Sequence, residues 1–220
     1  MSMQKVLQIF LLIVCTYSSN LYASYNEDFN SFPYGCALPS APHDYRKNDQ
    51  KSLNTKRQVE GAHFTVSVQR GLQGNAGSLA GDLKYVLDHF PNHPKALLVV
   101  AESQMKPGYR ANVVGRTDRY WPSKECYFKR ALDFAFNDPM VHLVIGIFYH
   151  KQKNTNRALK YYKKSLHFDP GNPETHYNLG LLYFDMKEYL NARSQAKKAM
   201  GLGFPLNGLV NKLEKVNEWK

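Results

Sequence analysis

The chain has 220 residues and a formal net charge of +11, with 43% hydrophobic and 21% charged residues. That balance excludes wholesale disorder, because it supplies enough apolar surface for a continuous core. The pI near 9.5 points toward acidic partners: acidic proteins, anionic lipid, anionic polymer or nucleic acid.

The first residues read as an export signal. Lys5 supplies the positive end, Val6–Cys15 is mostly apolar and too short to span a bilayer, and Leu21-Tyr22-Ala23 places a cut before Ser24. A buried N-terminal helix is the alternative. A lipoprotein reading through Cys15 is opposed by the bulky Val14 before it. Residues 1–23 are thus expected to be a signal peptide, and the protein periplasmic or secreted. Cys36 and Cys126 then remain, an even pair in an oxidising setting, which predicts a disulfide closing a loop of about 90 residues. Two separate buried thiols are the alternative.

Residues 24–60 lack helical or strand period. Pro33-Tyr34-Gly35 and Leu38-Pro39-Ser40-Ala41-Pro42 are breakers, while Tyr25, Phe29, Phe32, Tyr34 and Tyr45 are too many aromatics for a disordered tail. An extended arm lying on a helical body is expected. From Gly61 helical patterning begins. Thr65 is a candidate cap for a short helix with Val66, Val68 and Leu72, and Ser78 for a longer one with Leu79, Leu83, Val86, Leu87 and Phe90. Residues 94–105 make the next helix, with Ala96, Leu97, Val99, Val100 and Ala101 inward. An insert holding Tyr109, Arg110, Arg116, Arg119, Tyr120 and Trp121 separates it from a partner helix over Lys124–Phe136, which buries Phe128, Leu132 and Phe134-Ala135.

Pro139 opens a pattern that restarts at Pro173, 34 residues on. The shift aligns Ile145-Gly146 with Leu179-Gly180, Tyr149 with Tyr183, Ala158 with Ala192, Tyr162 with Ala196 and Ser165 with Ala199. Counting back from Pro139 gives about four units: 61–93 degenerate, 94–138 with the insertion, 139–172 and 173–205. The stripe Leu209, Val210, Leu213 and Val216 makes residues 206–220 a capping helix, which an array needs to cover its last apolar face.

Once aligned, Asn178-Leu179-Gly180, Tyr183, Ala192, Ala196 and Ala199 resemble the tetratricopeptide repeat family, as do Ile145-Gly146, Tyr149, Ala158, Tyr162, Ser165 and Asp169-Pro170. The resemblance implies an all-α fold: a right-handed superhelix of helix pairs, carrying here an extended N-terminal arm and a C-terminal capping helix. The layout is also similar to small exported bacterial proteins of this family. What it implies about function is protein–protein interaction, and no enzyme activity or cofactor.

In such arrays the first helix of each unit lines a concave groove. Carried over by position, the lining is Lys95, Leu98, Glu102 and Met105, then Met140, Leu143, Ile147, His150 and Lys151, then Glu174, Tyr177, Leu181, Phe184 and Asp185. It suits an extended or helical peptide, unless the basic arm or the C-terminal helix fills the groove internally. The Lys/Asn clamp with which some relatives hold a terminal carboxylate would need Leu143, Ile147 and Asn178, and only Asn178 fits. His89 and His93 straddle Pro91, and His142 and His176 recur with the repeat, so no metal or catalytic site is expected. Lys151, Lys153, Arg157, Lys160, Lys163, Lys164, Lys197 and Lys198 form a second candidate surface, for an acidic protein, lipid or polymer. Nucleic acid is not expected for an exported protein. The expected role is a scaffold that binds a protein or peptide in its groove and assists an envelope assembly, with peripheral contact to envelope components. A surface- or polymer-binding module is the alternative.

Overall fold

A computed structural model describes residues 36–107 and 122–219. The expected signal peptide, the first part of the arm and the aromatic and arginine residues of the insert lie outside the described residues. Among the described residues there are ten helices and no strand: α1 (Gln50–His63), α2 (Val66–Gln69), α3 (Leu79–His89), α4 (Pro94–Met105), α5 (Lys124–Phe134), α6 (Pro139–Lys151), α7 (Thr155–Phe168), α8 (Pro173–Asp185), α9 (Tyr189–Gly201) and α10 (Gly208–Lys215).

Local chemistry sets the repeat. Helices α4, α6 and α8 each start with proline at the first turn, where a missing N–H costs no hydrogen bond. The residue before each proline caps the helix: His93 accepts from the Ala96 N–H, Asp138 from Met140 and Asn172 from Thr175. The turns to the second helices also repeat. Lys153 and Lys187 adopt left-handed backbone, with φ of 61° and 62°, and the turn then closes on Asn154 and Glu188 at the caps of α7 and α9.

Packing follows the same period. Helix α4 pairs with α5, α6 with α7 and α8 with α9, while α4, α6 and α8 lie side by side. At Gly146 a Cβ would stand 2.6 Å from the ring of Tyr162, so only glycine lets α7 approach α6 this closely. One repeat later Tyr162 is replaced by Ala196, and at Gly180 the nearest atom to a Cβ, at 2.4 Å, is Leu209 Cδ2. The capping helix α10 thus supplies the bulk that Tyr162 supplies in the preceding unit. His142 and His176 share a role as well. Their Nε2 atoms reach the backbone oxygens of Phe136 (2.7 Å) and Pro170 (2.9 Å), each tying a first helix to the turn before it.

Two sequence expectations need correcting. The boundary drawn at residue 60 falls inside α1, which packs on α3 as the partner helix of the degenerate unit. Its interior buries only Ser52 and Val59, so no apolar stripe announces it; Asp49 caps it through Ser52. Thr65 makes no side-chain cap, its helix stops at Gln69, and Leu72 is 67% exposed instead of packed inside.

The main core runs from Val59 to Leu182 through α1 to α8. A smaller cluster, Ala192, Ala196, Leu209 and Leu213, joins α9 to α10. Cys36 and Cys126 are joined as a disulfide, with Cα atoms 5.4 Å apart. Cys126 is buried in the first turn of α5, so the bridge pins the arm to the second helix of the inserted unit.

Candidate partner-binding groove

The residues assigned to the groove fall into three groups. Leu98 and Met105 on α4, with Met140 and Ile147 on α6, are half-buried and packed on the core, forming an apolar strip across neighbouring first helices. Beside it, Lys151 Nζ pairs with Glu102, linking α6 to α4. His150 Nε2 meets Asp185 Oδ2 at 2.9 Å, linking α6 to α8, and its Nδ1 stands 3.4 Å from the Tyr162 hydroxyl. These polar residues are exposed or half-exposed, and they set the spacing of three first helices.

The second group is Leu143 alone. It has no exposed surface. Helix α6 lies between α4 and α8 and buries every residue from Val141 to Gly146, so a helix apolar on nearly all sides has no free face at that position.

The third group is Tyr177, Leu181 and Phe184 on α8. They pack on the cluster formed by α9 and α10. Tyr177 packs against Phe204 with the rings tilted and their centroids 4.5 Å apart, a Cβ on Gly208 would stand 2.6 Å from the Tyr177 hydroxyl, and Lys212 Nζ sits 5.1 Å over the Phe184 ring. The C-terminal segment therefore covers this end of the surface. The accessible stretch is the α4–α6 strip and the α6–α8 seam marked by His150 and Asp185.

The described part of the arm lies elsewhere. His43 N–H donates to His89 O at 2.7 Å, and Tyr45 N–H donates to the Asn92 side chain at 3.0 Å. Asn92, fully buried, donates to Asp44 and to Asp138, both at 2.8 Å. Arg46 reaches Asn137 at 3.0 Å, and the Tyr45 ring stacks on His93 at 4.1 Å. Residues 43–46 thus bind the turns before α4 and α6, at one end of the first helices. Burial raises the Asp44 carboxyl, but hydrogen bonds from Arg46 and Asn92 outweigh it and hold it at about 2. Burial pushes Asp138 upward against the Asn92 hydrogen bond. Asn92→Leu is expected to cost about 3 kcal/mol, because it removes a partner from the Tyr45 N–H and from two carboxylates at once. Urea denaturation measures the loss, and protease should then cut first within residues 36–49.

Two histidines beside these turns make stability fall in acid. Burial pushes His93 down to about 3 and His142 down to about 4. Glu60 stands 3.6 Å from His93 Nε2, which favours protonation, but the 2% exposure of the ring makes desolvation win. An unfolded chain protonates each imidazole near pH 6.5 while the folded chain does not. Their contribution is complete above about pH 6.5 and is lost as pH falls, at about 1.4 kcal/mol per pH unit for each group. Asp138 and Glu174, both raised by burial, act in the opposite sense nearer the ordinary carboxylate range. The expected result is a lower urea midpoint at pH 5 than at pH 7; equal midpoints would contradict it.

The geometry defines an array of antiparallel helix pairs closed by a capping helix. Residues 146–187 match the family described as TPR repeat, and residues 173–202 match Tetratricopeptide repeat. Residues 146–202 thus carry tetratricopeptide repeats, and the matched stretch runs from α6 to α9. No curated protein matches it. Repeats of this kind build extended surfaces for protein–protein contact. Among the described residues no group of three or more His, Cys, Asp or Glu could hold a metal ion.

Proposed function

We propose that this chain is an exported scaffold that holds a segment of a protein partner along α4, α6 and the α6–α8 seam, and so assists an assembly in the cell envelope. The observation that carries the reading is the half-buried strip of Leu98, Met105, Met140 and Ile147, bordered by the Glu102–Lys151 and His150–Asp185 pairs. Apolar side chains of an extended or helical segment fit the strip, and the bordering charges bind polar groups at its edge. Capping by α10 gives the surface one closed end. Export is supported by the N-terminal signal pattern and by a disulfide, which persists in oxidising compartments.

The test is affinity capture of partners from the protein's own envelope, comparing the native chain with Met105→Gln plus Ile147→Gln. Retention should drop about tenfold or more in the variant, as expected when apolar anchors are removed. Capture by the native chain should survive about 0.5 M salt, which screens exposed charge contacts and leaves apolar ones. Full retention by the variant would refute the groove.

A further inference from the structure

The opposite side of the repeats carries a different chemistry. Helix α7 holds Arg157, Lys160, Lys163 and Lys164, helix α9 holds Arg193, Lys197 and Lys198, and neither contains an Asp or Glu. The second helix of the inserted unit has a different composition: α5 carries Glu125 and Asp133 among its cations. Helical period places Lys160, Lys163 and His167 opposite the buried Ala158, Tyr161, Tyr162 and Ser165. It likewise places Leu190 and Lys197 opposite the buried Ala192, Ala196 and Ala199.

Aliphatic side chains accompany this charge. Leu190 is 70% exposed at one end of α9, and Met200, Leu202 and Leu206 are 47%, 46% and 58% exposed at the other. Between the last turns of α7 and α9 lies a depression lined by Leu166, Pro170, His176, Lys198 and Leu202. Some of the ammonium groups also sit over rings: Lys160 and Lys164 Nζ over Tyr161, and Lys197 Nζ over Trp219. A broad cationic face interspersed with exposed aliphatic groups matches a bilayer interface, where ammonium groups meet lipid phosphates and Leu or Met enters the acyl boundary. Single-stranded nucleic acid uses aromatic stacking platforms, whereas the large hydrophobics exposed on this stretch are aliphatic.

We propose that the α7–α9 face docks the protein on a membrane surface rich in anionic phospholipid. The groove on α4 and α6 lies on the other helices of the pairs, so both surfaces can be occupied together.

The test is co-sedimentation of the full chain with vesicles of phosphatidylcholine alone, or of phosphatidylcholine with about a third phosphatidylglycerol. Binding is expected on the anionic vesicles, and to weaken as salt rises. The variant Lys160→Glu, Lys163→Glu, Lys197→Glu, Lys198→Glu should bind those vesicles about 100-fold more weakly or worse. The same four positions as Gln should give an intermediate loss, and Ile147→Gln no loss. Any binding through the N-terminal apolar segment is common to all variants, so the difference isolates the face. Circular dichroism confirms that each variant remains helical. Equal vesicle binding by the native and Glu variants would overturn the proposal. So would lysine-dependent binding to polyglutamate or duplex DNA without binding to anionic vesicles, which would assign the face to an acidic protein or to nucleic acid.

Discussion

Removal of the Cys36–Cys126 bridge, by reduction or by Cys36→Ala with Cys126→Ala, is expected to lower the thermal midpoint by about 10 °C. The loop it closes has a sequence separation of 90 and contains α1 to α4. Cross-linking a loop of that length removes denatured-state entropy equivalent to about 4–5 kcal/mol. The loss should be local. A repeat array transmits stability through neighbouring contacts, so α1 to α5 should lose hydrogen-exchange protection while α7 to α9 keep theirs. The arm would then be held only by the hydrogen bonds and ring contacts of residues 43–46, so residues 36–42 should become the first protease site. Protection lost equally in α9 would show that the bridge braces the whole molecule.

Phe128→Ala is the second large effect, expected at about 3–5 kcal/mol. The ring has no exposed surface and meets Phe148 edge-on, with centroids 5.2 Å apart. It therefore joins α5 to α6, the seam between the irregular N-terminal units and the two regular repeats. Loss of the ring leaves a cavity at that seam and removes an aromatic contact. Calorimetry of the variant should separate into two transitions, with the N-terminal units melting first. Phe128→Leu should recover more than half of the loss, since it refills most of the volume. One sharp transition at nearly the native midpoint in Phe128→Ala would place the seam elsewhere.

What the sequence disclosed depended on how each residue acts. Gly146 and Gly180, Ala158 and Ala192, and the two prolines at 139 and 173 show themselves because close helix crossings and helix starts demand those residue types. Their period alone specifies the helix-pair architecture. Helix α1 was hidden because it buries only Ser52 and Val59, so its helicity comes from Asp49 capping and docking on α3 and not from an apolar stripe. Leu143 departs from its expected lining position because of its neighbours. A position that lines a groove in a thinly covered helix is buried in α6, which α4 and α8 enclose.

The groove residues of the last unit show the same limit. Tyr177, Leu181 and Phe184 carry the right chemistry for a binding surface, but Gly208 lets the C-terminal segment close on Tyr177, and α10 covers all three. Nothing in the apolar stripe of Leu209 and Leu213 alone says which face it will seek. The pairs Lys151–Glu102 and His150–Asp185 join residues 49 and 35 apart in sequence, and only the side-by-side arrangement of α4, α6 and α8 reveals them. In sequence these four residues read as separate lining positions; in the fold they are braces between helices.

The central claim is that a partner lies along α4, α6 and the α6–α8 seam and is kept off Tyr177, Leu181 and Phe184 of α8 by the capping helix. Site-specific photo-crosslinking in intact cells tests it most directly, with the photoreactive residue placed in turn at Met105, Lys151, Leu181 and Lys163. The account predicts a discrete protein adduct from Met105 and Lys151, and none from Leu181 or Lys163. Protein adducts from Leu181 or Lys163 with none from Met105 and Lys151 would contradict it.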